Sequence, residues 1–258
     1  MLAAAVLPHP PLLVPDLAAG AASLVAPLLA ACDSVIAEML ALEPRSVVLI
    51  GSGPATGLRT TAETGALAGF GAGPGAPATA RPATASGAGS GTGVGPGIGA
   101  GTSGGGLPLS LAIGRWLLER ADWTGDVVLQ EVTADTSAEE CERLGARLAV
   151  DVGPDSVWLA LGDGSNRRGP RSPGHDDPRA AGFDAEVVRA FATGDLAALR
   201  ALDPELATVL GAAGRPAWQV LAGAVAATPG WTAIGSRVHY DEAPFGVEYL
   251  VADWRPRS

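Results

Sequence analysis

The chain has no lysine: all 17 of its basic residues are arginine, in a sequence of 258. Read as GC-rich coding bias, that usage gives the arginine count no functional meaning. Against 27 acidic residues it leaves a formal net charge of −10. An acidic surface repels phosphate backbones, and no segment interleaves arginines with aromatics, which argues against nucleic-acid binding. Cysteine is also scarce. Cys32 and Cys141 stand alone in stretches with helical spacing, too few for a disulfide framework and without the CxxC pairing of structural zinc. They are expected as buried thiols in a reducing cytoplasm. No uninterrupted apolar run reaches the roughly 18 residues of a membrane span. Leu29-Ala30-Ala31-Cys32 looks like a lipoprotein cleavage box, yet the first basic residue is Arg45, so the basic n-region of a signal peptide is missing.

Apolar material is plentiful, at 47% of residues against 17% charged, and suffices for a core. Short apolar or β-branched runs at 2–7, 46–51, 127–132, 156–161 and 247–252 predict buried strands. Helical spacing predicts helices at 21–42, 109–121 and 138–150, the last started by Ser137. Three more helical stretches fill 183–227, with Asp195 and Asp203 as N-caps. Strands separated by helices imply a single α/β domain with a mainly parallel central sheet and helices on both faces. Residues 71–106 are almost wholly Gly, Ala, Pro, Ser and Thr and read as a flexible surface insertion. Within them, Gly95-Pro96-Gly97-Ile98-Gly99-Ala100 matches a dinucleotide fingerprint by formula. No strand precedes it, so the match reads as chance.

Ligands of parallel sheets bind beyond the carboxyl ends of the strands. Three segments follow such ends: Leu7-Pro8-His9-Pro10-Pro11, Gly51-Ser52-Gly53-Pro54, and Gly162-Asp163-Gly164-Ser165-Asn166-Arg167-Arg168. Prolines around His9 deny it a helix or ladder role. Arg167, Arg168 and Arg171 could clamp a carboxylate or pair with Asp176 and Asp177. Glu248, inside an apolar run, faces either a pocket partner or solvent. Ser52 is not in a G-x-S-x-G elbow, which argues against a serine hydrolase.

Pro8-His9-Pro10-Pro11 resembles the first metal-ligand turn of the class III extradiol ring-cleavage dioxygenases and their Memo-like relatives. Gly162-Asp163-Gly164-Ser165-Asn166-Arg167 resembles the Gly-Asp-Leu-Ser-His-Arg stretch of that family. Phe183-Asp184 and Phe245-Gly246-Val247-Glu248-Tyr249-Leu250 resemble its closing half, so the likeness spans the chain apart from 71–106. It implies a non-haem Fe(II) site of two His and one carboxylate with open positions for a catechol and O2, and a further His as acid/base. Carried over residue by residue, His9 matches the first ligand. No His follows the second strand, and Asn166 stands at the catalytic His position. Glu248 and Glu242 are candidates for the third ligand, and His175 with Asp163 could rebuild a triad. The resemblance thus leaves two readings. One is an oxidoreductase, an Fe(II)-dependent ring-cleaving enzyme with a rebuilt site. The other is a pseudoenzyme without the metal that keeps a pocket of His9, Ser52, Asp163, Ser165, Asn166 and Glu248 for a small anionic or catechol-like ligand. It also implies a homodimer.

Overall fold

Four of the predicted strand runs become the parallel centre of the sheet. In the computed structural model, which describes residues 1–60 and 106–257, β1 (Ala3–Leu7), β2 (Ser46–Ser52), β4 (Asp126–Val132) and β5 (Ser156–Leu161) lie parallel. Three further strands pair antiparallel at the margins: β3 (Gly57–Arg59) on β4, β7 (Tyr249–Pro256) on β1, and β6 (Ile234–Glu242) on β7. The sheet order is β3-β4-β2-β5-β1-β7-β6. The chain is therefore an α/β fold with a parallel core and antiparallel edges.

The pleat sends alternate residues to opposite layers. Ala5, Leu49, Leu129 and Leu159 share one row across four strands, under α2 (Ala22–Leu40) and α3 (Leu109–Arg120). Val6, Ile50, Ala160 and Ala252 face the other way, toward α4 (Ala138–Val152), α5 (Ala180–Thr193) and α8 (Arg215–Ala227). Between α5 and α8 run two short helices, α6 (Leu196–Arg200) and α7 (Pro204–Leu210), so this stretch holds four helices rather than three. Asp195 and Asp203 cap α6 and α7, accepting from Ala198 N at 2.9 Å and Glu205 N at 2.9 Å. Ser137 caps α4 with Glu140 completing a capping box. Cys32 and Cys141 are free and buried. By length and composition α2 could cross a membrane, but Leu28, Cys32, Val35, Ile36 and Met39 bury its stripe against the sheet. All but the last residue of the 71–106 insertion, and the Gly95–Ala100 fingerprint, lie outside the described residues.

Two edges escape the apolar pattern. β3 is only three residues long, and β6 carries Ser236, Arg237, His239, Asp241 and Glu242. A bulge between Val238 and Tyr240 leaves His239 outside the register, and its Nε2 sits 2.6 Å from Asp253 Oδ1. His239 therefore ties β6 to β7, together with Arg237 and Arg255 on the same carboxylate.

Packing of α4 on α8 depends on two glycines. A Cβ on Gly145 would overlap the Val220 carbonyl, and one on Gly223 would overlap the Glu142 backbone. Backbone cannot yield as a side-chain tip can, so Gly145→Ala should lower unfolding free energy by about 1–3 kcal/mol, the usual cost of overpacking. Urea denaturation tests it. An unchanged midpoint would mean that the two helices are not held at this distance.

Candidate functional site

The segments after β1, β2 and β5 do meet at one edge of the sheet, but their side chains divide between its two sides. His9 follows β1, flanked by Pro8 and Pro10, and is buried, with 7% of its surface exposed. Its backbone N–H donates to Asp163 Oδ1 at 2.8 Å, and its Nδ1 lies 3.6 Å from the same oxygen, beyond a hydrogen bond. Nδ1 is left buried without a partner. Burial raises the Asp163 carboxyl above the usual range, opposed by His9. The Asp163 charge adds to burial in raising the phenol of Tyr249, which belongs to the α2/α3 layer.

Glu248 stands on the other side, just before β7 rather than within it. Leu250, next on that face, packs in the α5/α8 layer. The post-β5 loop is clasped to this segment by Gly164 N donating to Glu248 O at 2.8 Å, Glu248 N to Ser165 O at 2.9 Å, and Arg168 N to Gly246 O at 3.0 Å. Arg168 pairs with Glu248 Oε2 and lies 3.9 Å from Asp184 Oδ2. Asp184, from α5, accepts from Ser165 N at 2.8 Å and Ser165 Oγ at 2.6 Å. Burial, with Asp241 and Asp184 beside it, pushes the Glu248 carboxyl up to about 8 despite Arg168. Burial likewise raises Asp184, against its bonds from Ser165.

The other expected residues lie apart. The Asn166 side chain packs between Gly174 and Gly211, where its Oδ1 is buried without a partner, and its backbone bonds to Leu210 and Gly174. His175 and Glu242 are exposed; His175 offers its carbonyl to Arg167, and Glu242 accepts from the Tyr240 hydroxyl at 3.4 Å. Neither joins His9, which corrects the rebuilt triad. Arg168 pairs with Glu248 rather than with Asp176 or Asp177; Asp177 instead holds Arg179, which lowers its carboxyl to about 2.

Ser52 ends β2 at a place with no room for a larger neighbour. A Cβ on Gly51 would overlap the Ser110 hydroxyl, and one on Gly53 would overlap the Glu131 carboxylate and Pro108. Ser110 Oγ donates to Ser52 O at 2.7 Å. Glu131 is fully buried, accepts from Ala55 N at 2.7 Å and lies 3.5 Å from Arg59 Nε. Sequence reasoning gave neither Glu131 nor Asp184 a place in a site. Their signal was the same as that of Glu248, a carboxylate beside apolar neighbours where an unpaired charge is costly.

The residues present do not fit an Fe(II) centre of two His and one carboxylate. His9 and Asp163 supply one imidazole and one carboxylate, Glu248 is held by Arg168 on the opposite side, and neither Gly51 nor Gly53 after β2 has room for a side chain. Two protein donors hold Fe(II) poorly against water. Among the described residues no group of three His, Cys, Asp or Glu is arranged to hold a metal ion.

The Glu248 proton links the site to stability. Between the unfolded value of about 4.3 and about 8, the folded chain keeps a proton that the unfolded chain releases. Its contribution is complete below the lower value and is lost as pH rises through the upper one. Asp163 and Asp184, both raised, act with the same sign. The urea midpoint of the wild type should fall between about pH 5 and pH 8, and Glu248→Gln should flatten that fall. Equal slopes in both proteins would refute the assignment.

Neither a family model nor a curated protein matches the chain. Among solved structures, an uncharacterized protein, JW3007 from Escherichia coli K12, aligns over 99% of this chain and 100% of its own at 13% identity, with a TM-score of 0.45.

Proposed function

We propose that the chain is a class III extradiol dioxygenase-like protein that lacks ring-cleavage chemistry and keeps the strand edge at His9 as a pocket for a small anionic or catechol-like molecule. The observation that carries this reading is the close packing against the two glycines after β2. Where the resemblance calls for a second imidazole, Ser110 and Glu131 occupy the volume that any side chain at 51 or 53 would need. The acid/base position supports it too: Asn166 cannot exchange a proton near neutral pH, and its amide is packed between two glycines. What remains at His9 is an imidazole with an unpartnered buried nitrogen beside a carboxyl whose proton affinity burial raises. Such a pair can accept a hydroxyl proton from a ligand or donate one to an anion. The same proposal places the protein in the cytoplasm, where two buried free thiols stay reduced.

The orphaned Nδ1 of His9 favours one competing reading, an active Fe(II)-dependent ring-cleaving dioxygenase with a rebuilt site, since a metal would satisfy that atom. Anaerobic calorimetry with Fe(II), on the wild type and His9→Ala, separates the two. The expected result is no stoichiometric uptake by either protein. Micromolar or tighter binding that is lost in His9→Ala would overturn the proposal, and catechol cleavage would then be the activity to assay. The pocket has its own readout. Metal-free wild type should perturb the absorbance of 4-nitrocatechol in a saturable way, weakened at least tenfold in His9→Ala; no perturbation would remove the pocket.

A further inference from the structure

A second cavity, of about 510 Å3, opens at the carboxyl end of β4, between Thr56, the turn at 133–137 and α4. Its floor is a ring of threonine hydroxyls. Thr133 and Thr136 Oγ1 stand 2.8 Å apart, and Thr56 Oγ1 is 3.2 Å from each. Two buried groups fix this ring from behind. Glu131 holds the turn that carries Thr56 through Ala55 N, and Thr133 N donates to Thr56 Oγ1 at 3.0 Å. Arg215 of α8, buried, donates to the carbonyls of Ala134 and Thr136. The carbonyls of the turn are thus engaged by the core while its threonines line the cavity.

The wall carries two arginines, Arg143 and Arg147, one helical turn apart on α4. Both are exposed, and neither has a hydrogen-bond or ion-pair partner among the described residues. Arg120, Arg168, Arg179, Arg189 and Arg200 each hold a carboxylate, whereas Arg143 and Arg147, like Arg45, Arg171 and Arg257, hold none among the described residues. Two acids also border the cavity, but both are engaged. Glu140 closes the capping box on Ser137. The Thr133 hydroxyl beside Asp135 holds its carboxyl below the usual range. The donors without a partner are the two guanidinium groups; the acids keep their charge but are turned to hydroxyls, so an anion would be met by the arginines.

We infer that this cavity binds a small organic phosphate monoester, its phosphoryl oxygens received by Arg143 and Arg147 from the wall and by the threonine hydroxyls from the floor. A planar carboxylate is saturated by one guanidinium fork. A tetrahedral dianion has oxygens for donors arriving from two directions, which is what a wall and a floor supply. The volume lies within the roughly 300–1,000 Å3 of small-molecule sites, so an inorganic ion would leave much of it unfilled. Leu144, between the two arginines, gives the organic part an apolar contact. The site shares no residue with the His9 pocket and stands or falls without it.

Calorimetry with phenyl phosphate tests it, with inorganic phosphate and benzoate as comparison probes. The expected result is saturable one-to-one binding of phenyl phosphate that weakens with salt, falls at least tenfold in Arg147→Gln, and disappears in Arg143→Gln/Arg147→Gln. Both positions are exposed, so the double variant should melt with the wild type. Absence of binding to the wild type, or equal binding to the double variant, would overturn the site. Benzoate binding as tightly as phenyl phosphate would overturn the phosphate assignment, and inorganic phosphate doing so would overturn the organic one.

Discussion

Side chains alternate along β5, and that alternation persists three residues beyond its end, deciding which partner each residue of the loop can meet. Leu161 packs under α2 and α3, whereas a Cβ on Gly162 would enter the contact of Gly214 and Trp218 on the opposite side. Asp163 returns to the first side and meets His9. Gly164 turns again toward Glu248 and Asp184, where a side chain would overlap both. The two glycines are required by close approach, and the aspartate between them has only His9's side of the sheet available. This one constraint separates His9 and Asp163 from Ser165, Asp184, Arg168 and Glu248. Residues adjacent in sequence and gathered at one edge form two clusters with different chemistry.

The buried acids show what those clusters do for the fold. Glu131 and Glu248 each end an otherwise apolar strand approach, and each holds a loop. Glu131 ties Ala55 and faces Arg59; Glu248 ties Arg168 and, through its backbone, Gly164 and Ser165. The Glu131–Arg59 pair adds little net stability, because desolvating the charges offsets their attraction. Glu248, protonated below about pH 8, holds Arg168 by a hydrogen bond. Their effect is positional: they fix where the loops after β2 and β5 run. Fixing the loop after β2 is also what fills the space beside Gly53.

Much of this was legible in the sequence, for a physical reason. Strands buried on both faces have to be largely apolar, so β1, β2 and β5 announce themselves as short runs such as Ser46-Val47-Val48-Leu49-Ile50, and β4 by Val127-Val128-Leu129. Caps are equally local, and Ser137, Asp195 and Asp203 act where their spacing placed them. The edges carry no such signal. Three residues of β3 bury little, and β6 is half-solvated, with its alternation broken at the His239 bulge. At the site, sequence could bring His9 and Asp163 to one edge because both follow strands. It could not say on which side of the sheet Glu248 falls, since that depends on register against neighbours far along the chain. Nor could it show that Ser110 and Glu131 converge on the glycines around Ser52.

The two proposed sites rest on features of different weight. A buried nitrogen without a partner, such as Nδ1 of His9, costs about 1–3 kcal/mol; Asn166 Oδ1, Trp218 Nε1 and Glu248 Oε1 share that state, and at His9 the proposed ligand would supply the partner. An exposed arginine without a carboxylate costs nothing, and Arg143 or Arg147 alone would mean nothing. Their weight comes from convergence: two guanidinium groups one turn apart, above threonine hydroxyls on turns whose backbone buried Arg215 and Glu131 hold. Preorganised donors lose little entropy on meeting an anion, which is where affinity at a polar site originates. The proposal at His9 rests on an unsatisfied group, and the one on α4 on the fixed groups around two unpaired charges.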